Sequence, residues 1–238
     1  MFIVSEIFPQ HSGDLDLAET LILQSKMGGA SAVKLQLYEG NQFSKDGYCR
    51  NYIELSKNGL RRLVKFGESI NIPVFATAFD EIRLDWVLDL DLPYLKIASR
   101  MHKESPGLVE KILSSKKPFF VSISDHKLVE KFRNNEKAIK LNCVSKYPTM
   151  LEEWKLDKET KNSYDGISDH SSGISAALFA VSLGLKYLEK HFTLSRNLQK
   201  STEKAHIGSM DFEELLKLKR LSSEIELIGK DPMKINYE

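Results

Sequence analysis

The sequence has little of several residue types, and each shortage excludes a class of protein. Two cysteines, Cys49 and Cys143, in 238 residues exclude a disulfide-stapled secreted domain and indicate a reducing compartment. Seven prolines and 13 glycines exclude collagenous and low-complexity chains. The 34 Lys and Arg nearly balance the 33 Asp and Glu, so we do not expect the basic face of a nucleic-acid-binding protein.

A membrane segment is also lacking. The longest apolar stretch, residues 174–185, contains Ser and Gly and is shorter than the roughly 20 residues that a helix needs to cross a bilayer. The first six residues have no basic group before their apolar residues and reach Glu6 too early for a signal peptide. We therefore expect a cytoplasmic protein with no membrane or nucleic-acid partner. We also expect one domain over residues 1–238, because 42% apolar residues suffice for one core.

Two periodicities alternate along the chain. Short apolar and β-branched runs predict strands, and apolar residues at helical spacing, such as Leu215 and Leu218, predict helices. The predicted strands are residues 2–7, 32–37, 74–78, 94–98, 119–123, 139–144, 166–168 and 186–191. The predicted helices are residues 15–27, 57–69, 81–90, 106–114, 127–134, 173–183 and 212–227. Eight strands, each followed by a helix or loop, predict the α/β class and a (β/α)8 TIM barrel.

A doubly wound open sheet is the competing α/β fold, because the pattern does not show closure. No glycine-rich phosphate loop follows the first strand, which counts against a dinucleotide-binding version. The polar connection 38–55 is too long for an ordinary βα loop. We interpret it as a lid or an oligomer contact, with a disordered surface loop as the alternative.

Polar or ionisable residues close every predicted strand. Barrel enzymes have their active sites at the carboxyl ends of the strands. Buried ionisable groups without partners cost several kcal/mol, so a ligand site explains such a set better than a core does. The residues are Glu6, Lys34, Gln36, Thr77, Lys96, Ser99, Ser122, Ser145, Ser168, His170, Glu189 and His191.

Two of these residues, His170 and His191, end consecutive strands. Neighbouring strands lie about 4.8 Å apart, so two imidazoles at matching heights can share one divalent ion. The alternative is a pair of structural histidines.

Lys34 and Lys96 lie on the second and fourth strands, which contribute to the same layer of a barrel. Two ammonium groups there favour an anion with several charges, such as a phosphorylated carboxylic acid. Salt bridges to Glu6 and Glu189 are the plain alternative, and both interpretations can hold together.

Ordered sequence blocks resemble the sialic acid (N-acetylneuraminate) synthase family from Glu6 to Leu221, nearly the whole chain. The match covers many separate motifs in the correct order. They are Ser5-Glu6-Ile7, His11-Ser12-Gly13-Asp14, Ala32-Val33-Lys34-Leu35-Gln36, Ala76-Thr77-Ala78-Phe79-Asp80, Tyr94-Leu95-Lys96-Ile97-Ala98-Ser99, Cys143-Val144-Ser145-Lys146-Tyr147-Pro148-Thr149, Ser168-Asp169-His170 with Gly173-Ile174, and Glu189-Lys190-His191-Phe192-Thr193-Leu194.

The resemblance implies a barrel enzyme that condenses phosphoenolpyruvate with an N-acetylmannosamine-type aldehyde. The products are a nonulosonic (sialic-acid-like) 2-keto acid and phosphate. A divalent ion is implied, Mn²⁺ first, with Mg²⁺ or Co²⁺ as alternatives, and we expect a homo-oligomer.

The resemblance also implies three groups of site residues. His170 and His191 look like the metal ligands. The residues that resemble the phosphoenolpyruvate site are Lys34, Thr77, Lys96, Ser99, Ser122, Ser145 and Ser168. The residues that resemble positioning or acid–base groups are Glu6, Gln36, Tyr147 and Glu189.

Four departures from the family pattern fall on the sugar side. Arg100 and Met101 follow Ser99 where an acidic residue is usual, and Ser122-Ile123-Ser124-Asp125 replaces Ser-Thr-Gly-Met. Residues 199–203 replace Pro-Gly-Pro-Asp-His, and the chain stops at residue 238, before the small antifreeze-like domain of typical members. Arg100 could bind an acceptor carboxylate or phosphate through its planar fork, or form a rim salt bridge with Glu104.

Two further functions remain open. One is an aldolase that works through a Schiff base on Lys34 or Lys96. The other is a degenerate family member that binds a sugar or a partner without turnover, which the four departures would explain. The departures also leave the condensing chemistry better supported than the identity of the acceptor.

Overall fold

Eight parallel strands form a nearly closed barrel in a computed structural model that describes residues 1–40, 53–196 and 207–229. The hydrogen-bonded order is β3-β2-β1-β8-β7-β6-β5-β4, and β3 and β4 contact each other where the order ends. Pairing of β1 with β8 joins the first strand to the last, and β3 and β4 lie side by side, so the (β/α)8 barrel is confirmed and the open doubly wound sheet is wrong. The strands are β1 (Phe2–Glu6), β2 (Ala32–Leu37), β3 (Val74–Ala78), β4 (Leu95–Ile97), β5 (Phe119–Ile123), β6 (Ala138–Cys143), β7 (Gly166–Asp169) and β8 (Tyr187–His191).

Helices follow the strands along the chain. Side-chain caps begin several of them: Asp14 accepts hydrogen bonds from two amides of the first helix, and Asp211 forms a capping box with Glu214 in the last. The helices are α1 (Leu15–Met27), α2 (Lys57–Ser69), α3 (Glu81–Asp89), α4 (Met101–Glu104), α5 (Pro106–Ser114), α6 (Val129–Phe132), α7 (Lys158–Ser163), α8 (Ser175–Ser182) and α9 (Phe212–Ile228), with single 3₁₀ turns at His126–Leu128 and Leu151–Glu153.

Two layers of side chains fill the barrel interior. Side chains point alternately into and out of the barrel along each strand. The inward side chains near the strand starts form the lower layer, and those near the strand ends form the upper layer. The lower layer is aromatic, with ring centroids of contacting pairs 5.2–6.2 Å apart. It consists of Phe2, Phe75, Tyr94, Phe120 and Tyr187. Two residues after Phe75, Tyr94, Phe120 and Tyr187 come the polar residues Thr77, Lys96, Ser122 and Glu189, so the sequence pattern itself places a polar chamber above an apolar floor.

Most predicted elements agree with the observed ones to within a few residues. The short helices α4 and α7 were not predicted, and residues 127–134 form a 3₁₀ turn and one helical turn rather than one helix. Most of the 38–55 connection lies outside the described residues, so its interpretation stays a prediction. In the described ranges, none of the helices combines the length and the apolar character of a membrane span. The single domain and the cytoplasmic location stay predictions.

Candidate active site

A cavity of about 690 Å³ opens at the carboxyl ends of the strands. The strand ends and the turns after them bring every predicted site residue to its wall. These residues are Glu6, Lys34, Gln36, Thr77, Lys96, Ser99, Arg100, Ser122, Ser145, Tyr147, Ser168, His170, Glu189 and His191. The structure therefore places the fourteen residues in one chamber, while the role of each stays a prediction.

Four buried charges alternate in sign across the bottom of this cavity. The ammonium of Lys34 contacts the Glu6 carboxylate and lies 3.5 Å from Oε2 of Glu189. The ammonium of Lys96 lies 3.6 Å from Oε1 of the same Glu189. The plain alternative for the lysines, salt bridges to two carboxylates, is thus present. Two positive and two negative charges leave the group formally neutral.

The surroundings shift the two lysines in opposite directions. Burial alone would lower the pKa of Lys34, but the Glu189 and Glu6 carboxylates outweigh it and the pKa is raised. Burial dominates at Lys96 and lowers its pKa, even with Glu189 nearby. Burial also raises the pKa of Glu6, against the lowering effect of the Lys34 ammonium.

Hydroxyl groups surround the buried charges. Lys34 Nζ donates to Thr77 Oγ1 at 3.2 Å, and Lys96 Nζ donates to the hydroxyl of Ser122. Ser168 Oγ donates to Glu189 Oε1 at 3.0 Å. Such groups can exchange their present partners for the oxygens of a bound anion.

A second row of hydroxyls lies nearer the solvent. Ser145 Oγ donates to Ser99 Oγ at 2.8 Å, and Ser99 Oγ lies 2.7 Å from Ser124 Oγ. Gln36 Nε2 lies deeper, 3.4 Å from Glu6 Oε2. Ser124 was not predicted, although it belongs to one of the sequence departures, and its contact with Ser99 links that departure to the cavity.

The two histidines lie side by side at the ends of β7 and β8. Their ring centroids are 5.9 Å apart, and the Tyr147 ring contacts both. His170 Nδ1 lies 3.2 Å from the carbonyl oxygen of Val144, so the ring donates from Nδ1 and keeps the Nε2 lone pair for a ligand. Burial lowers the pKa of His170 to about 4, which leaves the ring neutral at neutral pH.

This donor set fits an open metal site rather than a closed one. Within residues 1–40, 53–196 and 207–229, no cluster of three or more His, Cys, Asp or Glu residues suited to a metal occurs. Two imidazoles would leave several positions of an ion to water or substrate oxygens, as Mn²⁺ and Mg²⁺ prefer. The assignment of an ion to His170 and His191 stays a proposal.

Arg100 lies at the mouth of the cavity. Its guanidinium carbon is 4.2 Å from the centroid of the Phe79 ring, and its Nε is 4.0 Å from the Glu104 carboxylate. The side chain is 41% exposed, so the salt bridge predicted as the alternative is present only in a long, solvent-facing form. Phe79, which no pattern singled out, supplies a flat surface for the guanidinium.

The other departures have different locations. Met101 is buried, and its sulfur accepts the Ala98 amide at 3.3 Å, so this side chain packs in the core. Residues 199–203 lie outside the described residues, and the loss of an Asp there stays a prediction. His126 lies outside the cavity lining, and its side chain is 57% exposed.

The barrel fold and the charged cavity at its carboxyl end define a protein of the barrel-enzyme class. The sequence model of the NeuB family matches residues 21–233, and the chain belongs to that family. The predicted resemblance to sialic acid synthases is therefore confirmed.

Named relatives support the same assignment. The chain is 33% identical to an uncharacterised protein of Methanocaldococcus jannaschii, over 96% of this chain and 71% of that one. It is 31% identical to the pseudaminic acid synthase of Campylobacter jejuni, over 90% of this chain and 70% of that enzyme. The sialic acid synthetase of Leptospira borgpetersenii, crystallised with citrate, has a TM-score of 0.87 and 28% identity, over 99% of this chain and 87% of that one.

Proposed function

We propose that this chain condenses phosphoenolpyruvate with an amino-sugar aldehyde of N-acetylmannosamine type to give a nonulosonic acid and phosphate. Family membership and the synthase names of relatives support a transferase of this general kind. The observation that carries the proposal is one cavity in which Lys34 and Lys96 lie deep and His170 and His191 lie beside them. The two lysines suit an anion, and the two histidines suit a metal ion.

Phosphoenolpyruvate would bind at the deep lysines. Their ammonium groups and the Thr77 and Ser122 hydroxyls would hold the phosphate and the carboxylate, so most of the catalytic gain would come from positioning and fixed charge. Because the buried charges already cancel, a substrate with several negative charges needs further positive charge nearby. A divalent ion would provide it, while Arg100 at the mouth of the cavity would contact the acceptor.

The two histidines would hold the divalent ion, Mn²⁺ in the first instance. When bound, such an ion polarises the acceptor aldehyde and makes its carbon a better electrophile. The Val144 carbonyl fixes the His170 ring, and Tyr147 packs against both imidazoles, so the chain holds the ligands in place.

The proposed reaction balances in three steps. C3 of phosphoenolpyruvate forms a bond to the aldehyde carbon, whose oxygen takes a proton. The C2=C3 π electrons form this bond and leave C2 positively charged, and water adds there and loses one proton. The C–O bond to phosphate then breaks, phosphate leaves with the bonding electrons, and the C2 hydroxyl gives its proton to the phosphate to leave the 2-keto acid. Glu6, whose pKa burial raises, would exchange a proton, while Gln36 and Glu189 would orient the reacting groups.

Phosphate release tests this function directly. Purified protein is mixed with phosphoenolpyruvate, Mn²⁺ and candidate amino-sugar aldehydes, and phosphate and keto acid are measured together. We expect turnover that requires both substrates, that His170→Ala and His191→Ala abolish, and that the solvent-exposed control His126→Ala retains. Full turnover by either cavity variant after treatment with a chelator would remove the metal from the proposal. No phosphate with any aldehyde would favour a non-catalytic member that binds a sugar or a partner.

One observation favours the Schiff-base alternative. The lowered pKa of Lys96 is the property that such a nucleophile needs, whereas the raised pKa of Lys34 disfavours that residue. Borohydride with a keto acid would trap a covalent adduct on wild type and leave Lys96→Arg unmodified. Absence of an adduct would exclude the Schiff-base mechanism. That mechanism also leaves the paired histidines without a role.

The cytoplasm and a homo-oligomer complete the proposal. Few cysteines favour a reducing compartment, where phosphoenolpyruvate is also available. Light scattering of the purified chain would give the oligomeric state, and a monomer would contradict that part alone.

A further inference from the structure

A fully buried ion pair joins β7 to β8 at the residues that precede the two histidines. Lys190 Nζ lies 2.8 Å from Asp169 Oδ2, and neither side chain is exposed to solvent. Asp169 and Lys190 are register partners in the parallel ladder. Each precedes one of the histidines in sequence, so the pair connects the two strands at the residue before each imidazole.

Ser171 extends this connection to the other side of His170. Asp169 Oδ1 accepts hydrogen bonds from the Ser171 amide at 2.8 Å and from its hydroxyl at 2.6 Å. Lys190 Nζ donates to the Ser171 carbonyl at 2.6 Å. The residues on both sides of His170 are therefore bonded to one another and to Lys190.

The backbone carbonyl of each histidine is also held. The Thr149 amide donates to the His170 carbonyl at 3.1 Å, and the Met210 amide donates to the His191 carbonyl at 2.8 Å. With the backbone of both residues fixed, the separation of the two rings depends on how β7 and β8 lie relative to each other. Asp169 and Lys190 link these strands one residue before each imidazole, and the hydrogen bond from Ser168 to Glu189 links them on the cavity side.

Stability alone gives little reason for such a pair. Two apolar side chains of similar volume generally stabilise a fold as well as a buried ion pair does, because the charges must lose their water. What the ion pair adds is direction, since hydrogen bonds fix distance and angle where apolar contacts allow sliding. That property matters where two ligands must converge.

We propose that Asp169 and Lys190 form a positioning pair that keeps His170 and His191 at the separation needed to share one divalent ion. This inference rests on the proposed function, which assigns the ion to those histidines. Neither residue of the pair is assigned as a ligand.

Mn²⁺ affinity tests the pair without any need for turnover. Free Mn²⁺ is titrated by its electron paramagnetic resonance signal against wild type and Asp169→Leu/Lys190→Met, which removes both charges together. We expect the double variant to bind Mn²⁺ about 10- to 100-fold more weakly, the usual effect of losing an outer-shell partner. Asp169→Asn, which keeps the shape of the side chain, should weaken binding in the same direction.

Val87→Ala is the matched control. Val87 is fully buried on α3, outside the cavity lining, so its truncation destabilises the fold without touching β7 or β8. All titrations are run where thermal unfolding shows the variants to be folded. Weak Mn²⁺ binding by Val87→Ala as well would reduce the pair to a merely structural role and overturn the inference.

His170→Ala separates failure of this inference from failure of the proposed function. If wild type binds Mn²⁺ no better than His170→Ala, the metal site itself is wrong and the positioning pair is wrong with it. If wild type binds well, His170→Ala binds poorly, and both pair variants bind as wild type does, only the positioning role is overturned.

Discussion

The ring of Tyr147 lies 4.0 Å from the ring of His170, centroid to centroid, at the edge of the cavity. The tyrosine is 44% exposed, so it covers the histidine from the solvent side. Although the residue as a whole is partly exposed, its hydroxyl is buried, and this burial raises the pKa of the hydroxyl, so the group stays protonated throughout the range of an enzyme assay. The residue can therefore act through its ring, as a packing surface, or through its hydroxyl, as a donor.

Two substitutions separate these roles. We expect Tyr147→Ala to weaken Mn²⁺ binding and lower kcat/KM by about 10-fold or more, because the His170 ring loses its outer support. Tyr147→Phe should keep the metal affinity, and any fall in its kcat then measures the hydroxyl. Equal effects of the two variants on metal affinity would contradict the packing role.

The low pKa of His170 predicts how stability depends on pH. The folded-state pKa of about 4 lies below the ordinary value of 6.5, so between these values the unfolded chain binds a proton that the folded chain does not. Stability should fall as the pH falls from 6.5 to 4, by about 3 kcal/mol in total, and level off below.

Urea unfolding of chelator-treated protein checks this expectation. From pH 7 to pH 5, wild type should lose about 2 kcal/mol more unfolding free energy than His170→Gln, in which the titrating ring is gone. The subtraction removes the contributions of all other groups. The same pH slope in both proteins would show that His170 titrates normally.

Arg100 predicts a preference for a charged acceptor. Its guanidinium lies at the mouth of the cavity, above the Phe79 ring. Under the proposed function, this is where we expect the distal end of the acceptor. Arg100→Ala should raise KM for an acceptor with a phosphate or carboxylate by about 10-fold or more, the usual value of a charge-assisted hydrogen bond. KM for the neutral sugar should stay the same.

Arg133→Ala serves as the control, because Arg133 is 65% exposed and paired with Glu130 away from the cavity. Paired assays of phosphorylated and unphosphorylated amino-sugar aldehydes measure the difference. An unchanged ratio of the two KM values in Arg100→Ala would dismiss the idea.

Two glycines should respond oppositely to the same substitution. A Cβ on Gly166 would lie 1.9 Å from the backbone carbonyl oxygen of Tyr187, whereas a Cβ on Gly107 meets nothing within 4 Å. Gly166→Ala should therefore destabilise the fold by about 1–3 kcal/mol or more, since backbone must move. Gly107→Ala, in helix α5, should stabilise it by about 0.5 kcal/mol. Thermal unfolding measures both, and an unperturbed Gly166→Ala would contradict the close packing of β7 on β8.

The sequence predicted the strands and the residues that line the cavity well, because both follow from the alternation of side chains along a strand. Strand periodicity and the barrel rule act locally: once Lys34 and Gln36 lie on one strand, alternation sends both to the same side. Closure of the sheet then brings distant strand ends together. Placing Glu6 and Glu189 beside Lys34 therefore needed only the correct fold class.

What could not be predicted depends on contacts between segments far apart in sequence. Nothing near His170 indicates that the Val144 carbonyl orients its ring, and nothing near Arg100 indicates that Phe79 lies beneath it. Met101 shows the reverse: its position in a motif suggested the cavity, but a buried turn directs its sulfur to a backbone amide. The orientation of each of these side chains is determined by tertiary packing, which local sequence patterns do not encode.

The aromatic floor of the barrel has a consequence for the order of events. In the described part of the chain, the rings of Phe2, Phe75 and Phe120 pack against one another across the lower end, so molecules enter and leave from above. A sugar held near Arg100 and Tyr147 would then block the path to Lys34 and Lys96. Steady-state kinetics should therefore show ordered binding, in which phosphoenolpyruvate binds first and the aldehyde binds second.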